Sequence, residues 1–273
     1  MQTNMTGHAA GSTGEVDALY PEERQHAIAV LVAERGRVSV TAVAEEFGVT
    51  TETVRRDLAV LERAGHLRRV HGGAVPAGSL ALAEPGLAER AGARAEQKRK
   101  IAAAALDLLP GTEGSILLDG GTTTAALVDV LPGDRRLLAV THCVPVAARL
   151  SGAPGVSLHL LGGRVRGVTQ CAVGEQTVRA LADLRVDVAF LGANGVEPRH
   201  GFTTPDEAEA SVKRAMVRAG QRVVVLADSS KLDREHLVRF AAVEAVDVLV
   251  TDTGADAGVV AELEKAGVDV VLA

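Results

Sequence analysis

The 273-residue sequence has no apolar run that could cross a membrane: stretches such as RVVVLAD stop far short of the roughly 20 residues that a spanning helix requires. Its opening, MQTNMTGHAAGSTGEVDA, has neither a basic start nor an apolar segment, so no secretion signal is read there. Residues 1–18 read instead as a disordered tail, and the protein as cytoplasmic. Cysteine is nearly absent. Cys143 and Cys171 sit in no CxxC or histidine-rich setting, which removes the usual sequence grounds for a metal and leaves two reduced, structural thiols. Nothing calls for a cofactor. Lysine is also rare, five against 24 arginines, so a lysine at a strand end needs a reason of its own.

What is present is ordinary for a folded soluble protein, 47% hydrophobic and 23% charged, and the length allows two domains. The net charge of −6 argues against a nucleic-acid partner until it is divided along the chain. Residues 20–75 hold eight arginines against eight acids, while the remainder holds 21 basic against 27 acidic residues and so carries the whole −6. Within the first segment, Arg55, Arg56, Arg63, Arg68 and Arg69 are opposed only by Asp57 and Glu62. Such a local basic excess is what a phosphate backbone selects.

Residues 19–75 carry three helical patterns in quick succession, PEERQHAIAVLVAERG, SVTAVAEEFG and TTETVRRDLAVLERAGHL. Pro21 suits a first turn, Glu22 and Glu23 suit the positive end of the helix dipole, and Ile28, Leu31 and Val32 share one face. Ser39 is placed to cap the second helix, Gly48 to end it in a left-handed conformation, and Thr50 to cap the third. Val54, Leu58 and Leu61 then face inward, leaving Thr51, Thr53, Arg55 and Arg56 on the outer face of the first two turns. This is helix-turn-helix spacing, and the N-terminal part of a recognition helix, here the third, is the part that reaches base edges and phosphates. The following HLRRVHGGAV reads as a strand, a Gly-Gly turn and a strand end carrying Arg68, Arg69 and His71, a small wing. By residue pattern alone, a protein-binding module remains open.

The stretch VTAVAEEFGVTTETVRRDLAVLERAGHLRRVHGGAV resembles the winged helix-turn-helix signature of the DeoR family of bacterial transcriptional regulators, with its RRDL core and terminal GGA. The resemblance implies DNA contact by Thr51, Thr53, Arg55 and Arg56, with Thr50 at the helix start and Arg69 and His71 in the wing.

Residues 76–95 mix Pro, Gly and Ala without a lasting period and read as a connector. From residue 96 to 273, amphipathic helices alternate with the apolar strands SILLD, RLLAVT, SLHLL, VDVAFLG, RVVVLAD, VDVLVT and VDVVLA. That alternation predicts a parallel sheet covered on both faces, a Rossmann-like three-layer α/β domain. Ligands of such sheets bind beyond the carboxyl ends of the strands, and here those ends are polar. Gly121, Thr122, Thr123 and Thr124 offer N–H groups and hydroxyls to a phosphate, and Asp119 suits sugar hydroxyls. Lys231 supplies a compact ammonium, whereas Lys98, Lys100, Lys213 and Lys265 show no comparable reason. His142 is either a pocket residue or a structural histidine, and Gly163 a tight turn that also admits ligand.

GTTT, LGG, FLGANG, GFTT and ADSSK, spread over about residues 95–255, resemble the sensor domain of the same family, which is similar in fold to ribose-5-phosphate isomerase and the coenzyme A transferases. The resemblance implies a repressor released from a double-stranded DNA operator by a phosphorylated sugar, and a homo-oligomer assembled through this domain. Two departures stand out. Thr141-His142 replaces the family's usual Thr-Asn, and LGANG followed by GFTTPDE replaces the acidic pair of the isomerases. The alternative, a sugar-phosphate isomerase or deaminase with an accessory DNA-binding domain, would have to recruit Asp206, Glu207 or Glu209 for proton transfer.

Overall fold

The computed structural model describes residues 20–35, 38–70, 72–76 and 86–273, divided between two compact units that split at residues 79 and 80. The expected tail, residues 77–85 of the connector and His71 lie outside the described residues.

The first unit runs α1 (Pro21–Arg35), β1 (Val38–Ser39), α2 (Val40–Phe47), α3 (Thr51–Arg63), β2 (Leu67–Val70) and β3 (Gly73–Pro76). Its boundaries follow from side-chain chemistry. Ser39 Oγ accepts a hydrogen bond from the Ala42 N–H at 3.1 Å, and Thr50 Oγ1 accepts one from the Thr53 N–H at 3.1 Å. Each cap satisfies an otherwise orphaned donor of a helix start. Gly48 ends α2 at φ 63°, a left-handed conformation that glycine adopts without steric cost. Ile28, Val32, Val43, Val54, Leu58, Leu61, Leu67 and Ala74 form the core, and each fully buried Val, Ile or Leu contributes about 1.5–3 kcal/mol. Beneath them Arg24 Nε of α1 pairs with Asp57 Oδ2 of α3 at 2.7 Å, and Gln25 Nε2 donates to the same carboxylate at 2.9 Å.

The wing is a three-stranded antiparallel sheet in the order β1-β3-β2. The Gly-Gly turn has two separate causes. Gly72 adopts φ +72°, and a Cβ on Gly73 would stand 1.8 Å from the Val38 carbonyl oxygen where β3 passes β1. Strand β1 was not expected from the sequence, being only two residues long.

The second unit opens with α4 (Leu87–Gly92) and α5 (Ala95–Ala105), followed by β4 (Glu113–Leu118), α6 (Thr122–Val128), β5 (Arg136–Thr141), α7 (Val144–Leu150) and β6 (Val156–Leu160). A hairpin of β7 (Arg164–Arg166) and β8 (Cys171–Val173) leads to α8 (Glu175–Ala182) and β9 (Val186–Gly192). Then come β10 (Gly195–Glu197), β11 (Gly201–Thr204), α9 (Glu207–Ala219), β12 (Gly220–Leu226), β13 (Val238–Ala241), β14 (Val248–Thr251), α10 (Ala257–Lys265) and β15 (Asp269–Leu272). Seven strands form one parallel sheet in the order β15-β14-β12-β9-β4-β5-β6, and they are the seven apolar runs read from the sequence. Residues such as Ile116, Leu118, Phe190 and Val224 fill one face, and Leu117, Ala189, Leu191 and Val225 the other. From β4 the strands are added outward through β5 and β6, and from β9 outward the other way through β12, β14 and β15, so the loops after these two central parallel strands diverge and leave room at the sheet's carboxyl end.

One expectation is corrected here. The second half of the connector expected over residues 76–95 is not a plain linker, because α4 is helical and packs on α6. Six residues are too few to show a hydrophobic period, which is why the sequence did not reveal it.

Candidate functional site

On α3 the side chains of Arg55 and Arg56 are 60% and 79% exposed, and Glu52 approaches them at only 3.6 and 3.7 Å. Ion pairs this exposed are worth little, so a phosphate or a guanine edge competes easily for either guanidinium. Thr51 is exposed beside them. Thr50 and Thr53 bond each other through their hydroxyls at 2.9 Å, so both belong first to the helix cap. Glu62 accepts from the Arg69 N–H at 2.7 Å and lies 3.7 Å from its Nε, fastening the base of the wing to α3 while Arg69 stays exposed. Asp57, one of the two acids opposing the five arginines in the sequence, is buried with Arg24, and the outer face is correspondingly more basic than the raw count.

In the second unit the strand ends converge on a buried ionic network. Asp119, just beyond β4 and 2% exposed, accepts from the Lys213 ammonium of α9, from Gly192 N at 2.9 Å, from Gly120 N at 2.7 Å and from His142 Nε2 at 3.2 Å. Lys213 Nζ also donates to the Gly192 carbonyl at 2.9 Å and lies 5.2 Å from the centroid of Phe240. Burial works to raise the Asp119 pKa, but Lys213 and His142 together overcome it and hold this carboxyl well below the usual range. His142 Nδ1 faces the Ala172 carbonyl at 2.7 Å. With an acceptor at each ring nitrogen, both must carry hydrogen, so the geometry favours the imidazolium. Burial lowers the His142 pKa and the Asp119 contact more than reverses it, leaving the group raised.

These contacts revise several sequence expectations. Asp119 is engaged on both oxygens inside the protein, so it holds the loop rather than facing outward. His142 is its buried partner, 2% exposed. Lys213, which the sequence gave no reason to single out, is the counter-charge of the site. A signal was present: it sits three residues from both Ala210 and Met216, within the apolar stripe of α9. Thr124 donates to the Gly121 carbonyl at 3.3 Å and is fully buried, Thr123 is nearly so, and Gly121 and Thr122 are the half-exposed members of that turn. Gly163 serves packing, since a Cβ there would stand 2.3 Å from Thr177 Oγ1. Gly120 is equally constrained, because a Cβ would meet Cys171 Sγ at 2.0 Å. Cys143 and Cys171 are buried free thiols facing each other as an antiparallel pair.

Beside this network, Asp228 and Asp252 organise the Ser229–Lys231 turn. Asp228 Oδ1 accepts from Ser230 N at 3.1 Å, and Asp252 accepts from Ser229 N at 2.7 Å and Ser229 Oγ at 2.9 Å. Lys231 ends this turn half-buried, its pKa lowered by burial against the pull of Asp228. A cavity of about 460 Å³ opens nearby between α4–α5 and α6–α7, bordered among others by Leu87, Lys98, Gly121, Thr122 and Val146.

The carboxylates required by the isomerase alternative are engaged elsewhere. Asp206 caps α9 through Glu209 N at 2.9 Å and pairs with Arg166 at 3.2 Å. Glu207 pairs with Arg214, and Glu209 is buried against Thr169 and Arg166. Among the described residues no His, Cys, Asp and Glu cluster could hold a metal, and no helix is long and apolar enough to cross a membrane.

Residues 24–79 match the DeoR-like helix-turn-helix domain, and residues 93–253 match the DeoR C terminal sensor domain. The chain is 33% identical over 263 residues to a putative aga operon transcriptional repressor of Escherichia coli O157:H7, covering 96% of this chain and 97% of that protein. It is 37% identical over 254 residues to the HTH-type transcriptional regulator GlpR of Haloferax volcanii, covering 93% and 98%. A lactose phosphotransferase system repressor of Streptococcus mutans is 34% identical over 233 residues, covering 85% and 92%. Ribose 5 phosphate isomerase A from Neisseria gonorrhoeae aligns in part, with a TM-score of 0.37 and 19% identity over 50% of this chain and 53% of its own.

Proposed function

Because the chain belongs to the DeoR family of transcriptional regulators, we propose that it represses carbohydrate-metabolism genes and leaves its operator when a phosphorylated sugar binds its second unit. The relatives named for the aga operon and the lactose phosphotransferase system support the carbohydrate part, and their names describe regulators rather than enzymes. Arg55 and Arg56 read or clamp the DNA in the major groove, assisted by Thr51 and by Arg69 in the wing; Thr50 and Thr53 set the start of that helix. His71 belongs to the same wing by the family resemblance.

The observation that carries the effector reading is the half-exposed Gly121–Thr122 turn on the cavity wall, with Lys231 close enough to act electrostatically on Lys98 of that wall. In this reading the Lys231 ammonium and the backbone N–H groups of the turn hold the phosphate. Asp119, Lys213 and His142 act from beneath, fixing where the loops after β4 and β9 stand, while Thr123, Thr124 and Gly163 shape the wall. Release follows from linkage: an effector that prefers the form or assembly unable to hold DNA lowers DNA affinity by the same factor, typically about 5- to 150-fold. The family resemblance adds a homo-oligomer joined through this unit, and a regulator that binds DNA fits the cytoplasmic setting read from the sequence. Lys231→Ala tests the assignment by fluorescence anisotropy on the protein's own upstream DNA. Operator affinity is expected to stay unchanged while release needs far more sugar phosphate; release at unchanged concentration would put Lys231 outside the site.

A further inference from the structure

The segment ahead of α5 places arginines against this site. Arg90 Nη2 of α4 lies 3.7 Å from where a side chain on Gly121 would begin, so its guanidinium covers the open face of the turn. Arg94 Nη1 donates to Ser229 Oγ at 3.0 Å and lies 3.9 Å from Asp252, and its Nε lies 3.7 Å from Asp228. Arg94 makes these contacts from a left-handed backbone, φ 53° and ψ 39°, a conformation costly for a residue with a Cβ. Lys98 Nζ closes the arm by donating to the carbonyls of Arg90 and Ala93. The strongest charged neighbours of Lys98 and of Lys231 are, for each, one carboxylate, Asp228, and three cations that include Arg90 and Arg94. Positive charge is thus gathered on both sides of the turn, from the sheet end and from the arm.

We propose that Arg90 is a phosphate ligand of the effector site and that the arm 87–94 is the element whose docking the effector controls. This rests on the effector reading above and deepens it. A phosphate dianion between Lys231 and Arg90 accepts from both, bringing negative charge to a turn flanked by cations on each side. Arg94 is a positioning residue, holding the arm to Asp228 and Asp252 so that Arg90 meets the anion. Because the arm is the chain that leads toward the winged helix, a ligand that tightens it acts on the covalent connection itself.

The test uses the full-length protein and isothermal titration with ribose 5-phosphate, glucose 6-phosphate, fructose 1-phosphate and inorganic phosphate. For whichever probes the wild type binds, Arg90→Ala is expected to weaken binding about 10- to 100-fold, the loss of one charge-assisted hydrogen bond. Arg90→Lys recovers part of that loss, and the exposed-charge control Arg136→Ala binds as the wild type. Hydrogen exchange of residues 86–95 in the unaltered protein is expected to slow when the probe is added, a readout that needs no substitution. Wild-type-like binding by Arg90→Ala, or exchange in 86–95 indifferent to a bound probe, overturns the role of the arm and leaves the effector reading standing. Binding of none of the four probes by the wild type, with operator affinity intact, overturns the effector reading and the arm with it.

Discussion

The two units handle charge in opposite ways. In the winged helix, Arg55 and Arg56 stand in solvent with a weak partner, whereas in the sensor unit the side chains of Asp119, His142 and Lys213 are 3%, 3% and 7% exposed and tied to one another. A polyanion is met across a surface, where hydrated arginines exchange one loose partner for a phosphate and release counterions. A small anion is met in a cleft, where charges must be fixed beforehand because one ligand supplies few contacts to order them. The same distinction separates residues whose loss harms affinity from residues whose loss harms the fold. The winged helix contains both kinds in adjacent positions, since Asp57, next to Arg56, is buried with Arg24.

The largest expected effect breaks the buried network. Lys213→Ala strips Asp119 of its closest counter-charge and is expected to cost about 3–5 kcal/mol of stability in the sensor unit, read by urea unfolding. Lys213→Met combined with Asp119→Asn is expected to recover much of it, and an equally unstable double variant would mean that packing rather than charge was lost. The network also sets a pH window. Asp119 has a depressed value in the folded state, so its contribution is present above about pH 4 and falls away as the solution is acidified. His142 has a raised value, so its contribution is present below about pH 6.5 and is lost as pH rises through the folded value. His142→Asn is therefore expected to flatten the alkaline limb of an unfolding series, while the Lys213 contact preserves part of the acid limb; an unchanged alkaline limb would place its cause elsewhere.

On the exposed face the expected losses are in binding. Arg55→Ala and Arg56→Ala are each expected to cost about 1–3 kcal/mol of operator affinity with the melting temperature unchanged. A smaller salt slope marks a phosphate contact, and loss of sequence preference marks a guanine contact; full affinity in both variants would remove α3 from the interface. The smallest effect is local: Thr50→Ala is expected to lower stability by about 1 kcal/mol through the lost cap, and an unchanged melting temperature would mean that the hydroxyl bond to Thr53 N contributes nothing.

Where local rules decide, the sequence was readable. The caps Ser39 and Thr50, the left-handed Gly48 and all seven strands of the parallel sheet follow from propensity, pattern and turn chemistry within a few residues of one another. What was not readable is non-local. Lys213 meets Asp119 across 94 positions, and only its place within an apolar stripe hinted that its charge was buried. Lys98 carried the same hint three residues ahead of Ile101. The small sheet of β10, β11 and β13 and the arm 87–94 consist of elements too short to print a period. Asp119 was correctly singled out as the polar residue at a strand end, but the sequence could not reveal that the protein itself fills its acceptor positions.

The proposed coupling joins an exposed DNA-reading face to an effector site for a phosphorylated sugar. Its most direct test is the affinity of the full-length protein for its own upstream DNA, measured by anisotropy across a salt series with and without ribose 5-phosphate, glucose 6-phosphate and fructose 1-phosphate. Tight, salt-sensitive binding that one sugar phosphate weakens about 5- to 150-fold, with the compound recovered intact, is the predicted result. Operator binding indifferent to all three, or consumption of one of them without any effect on DNA, would contradict it.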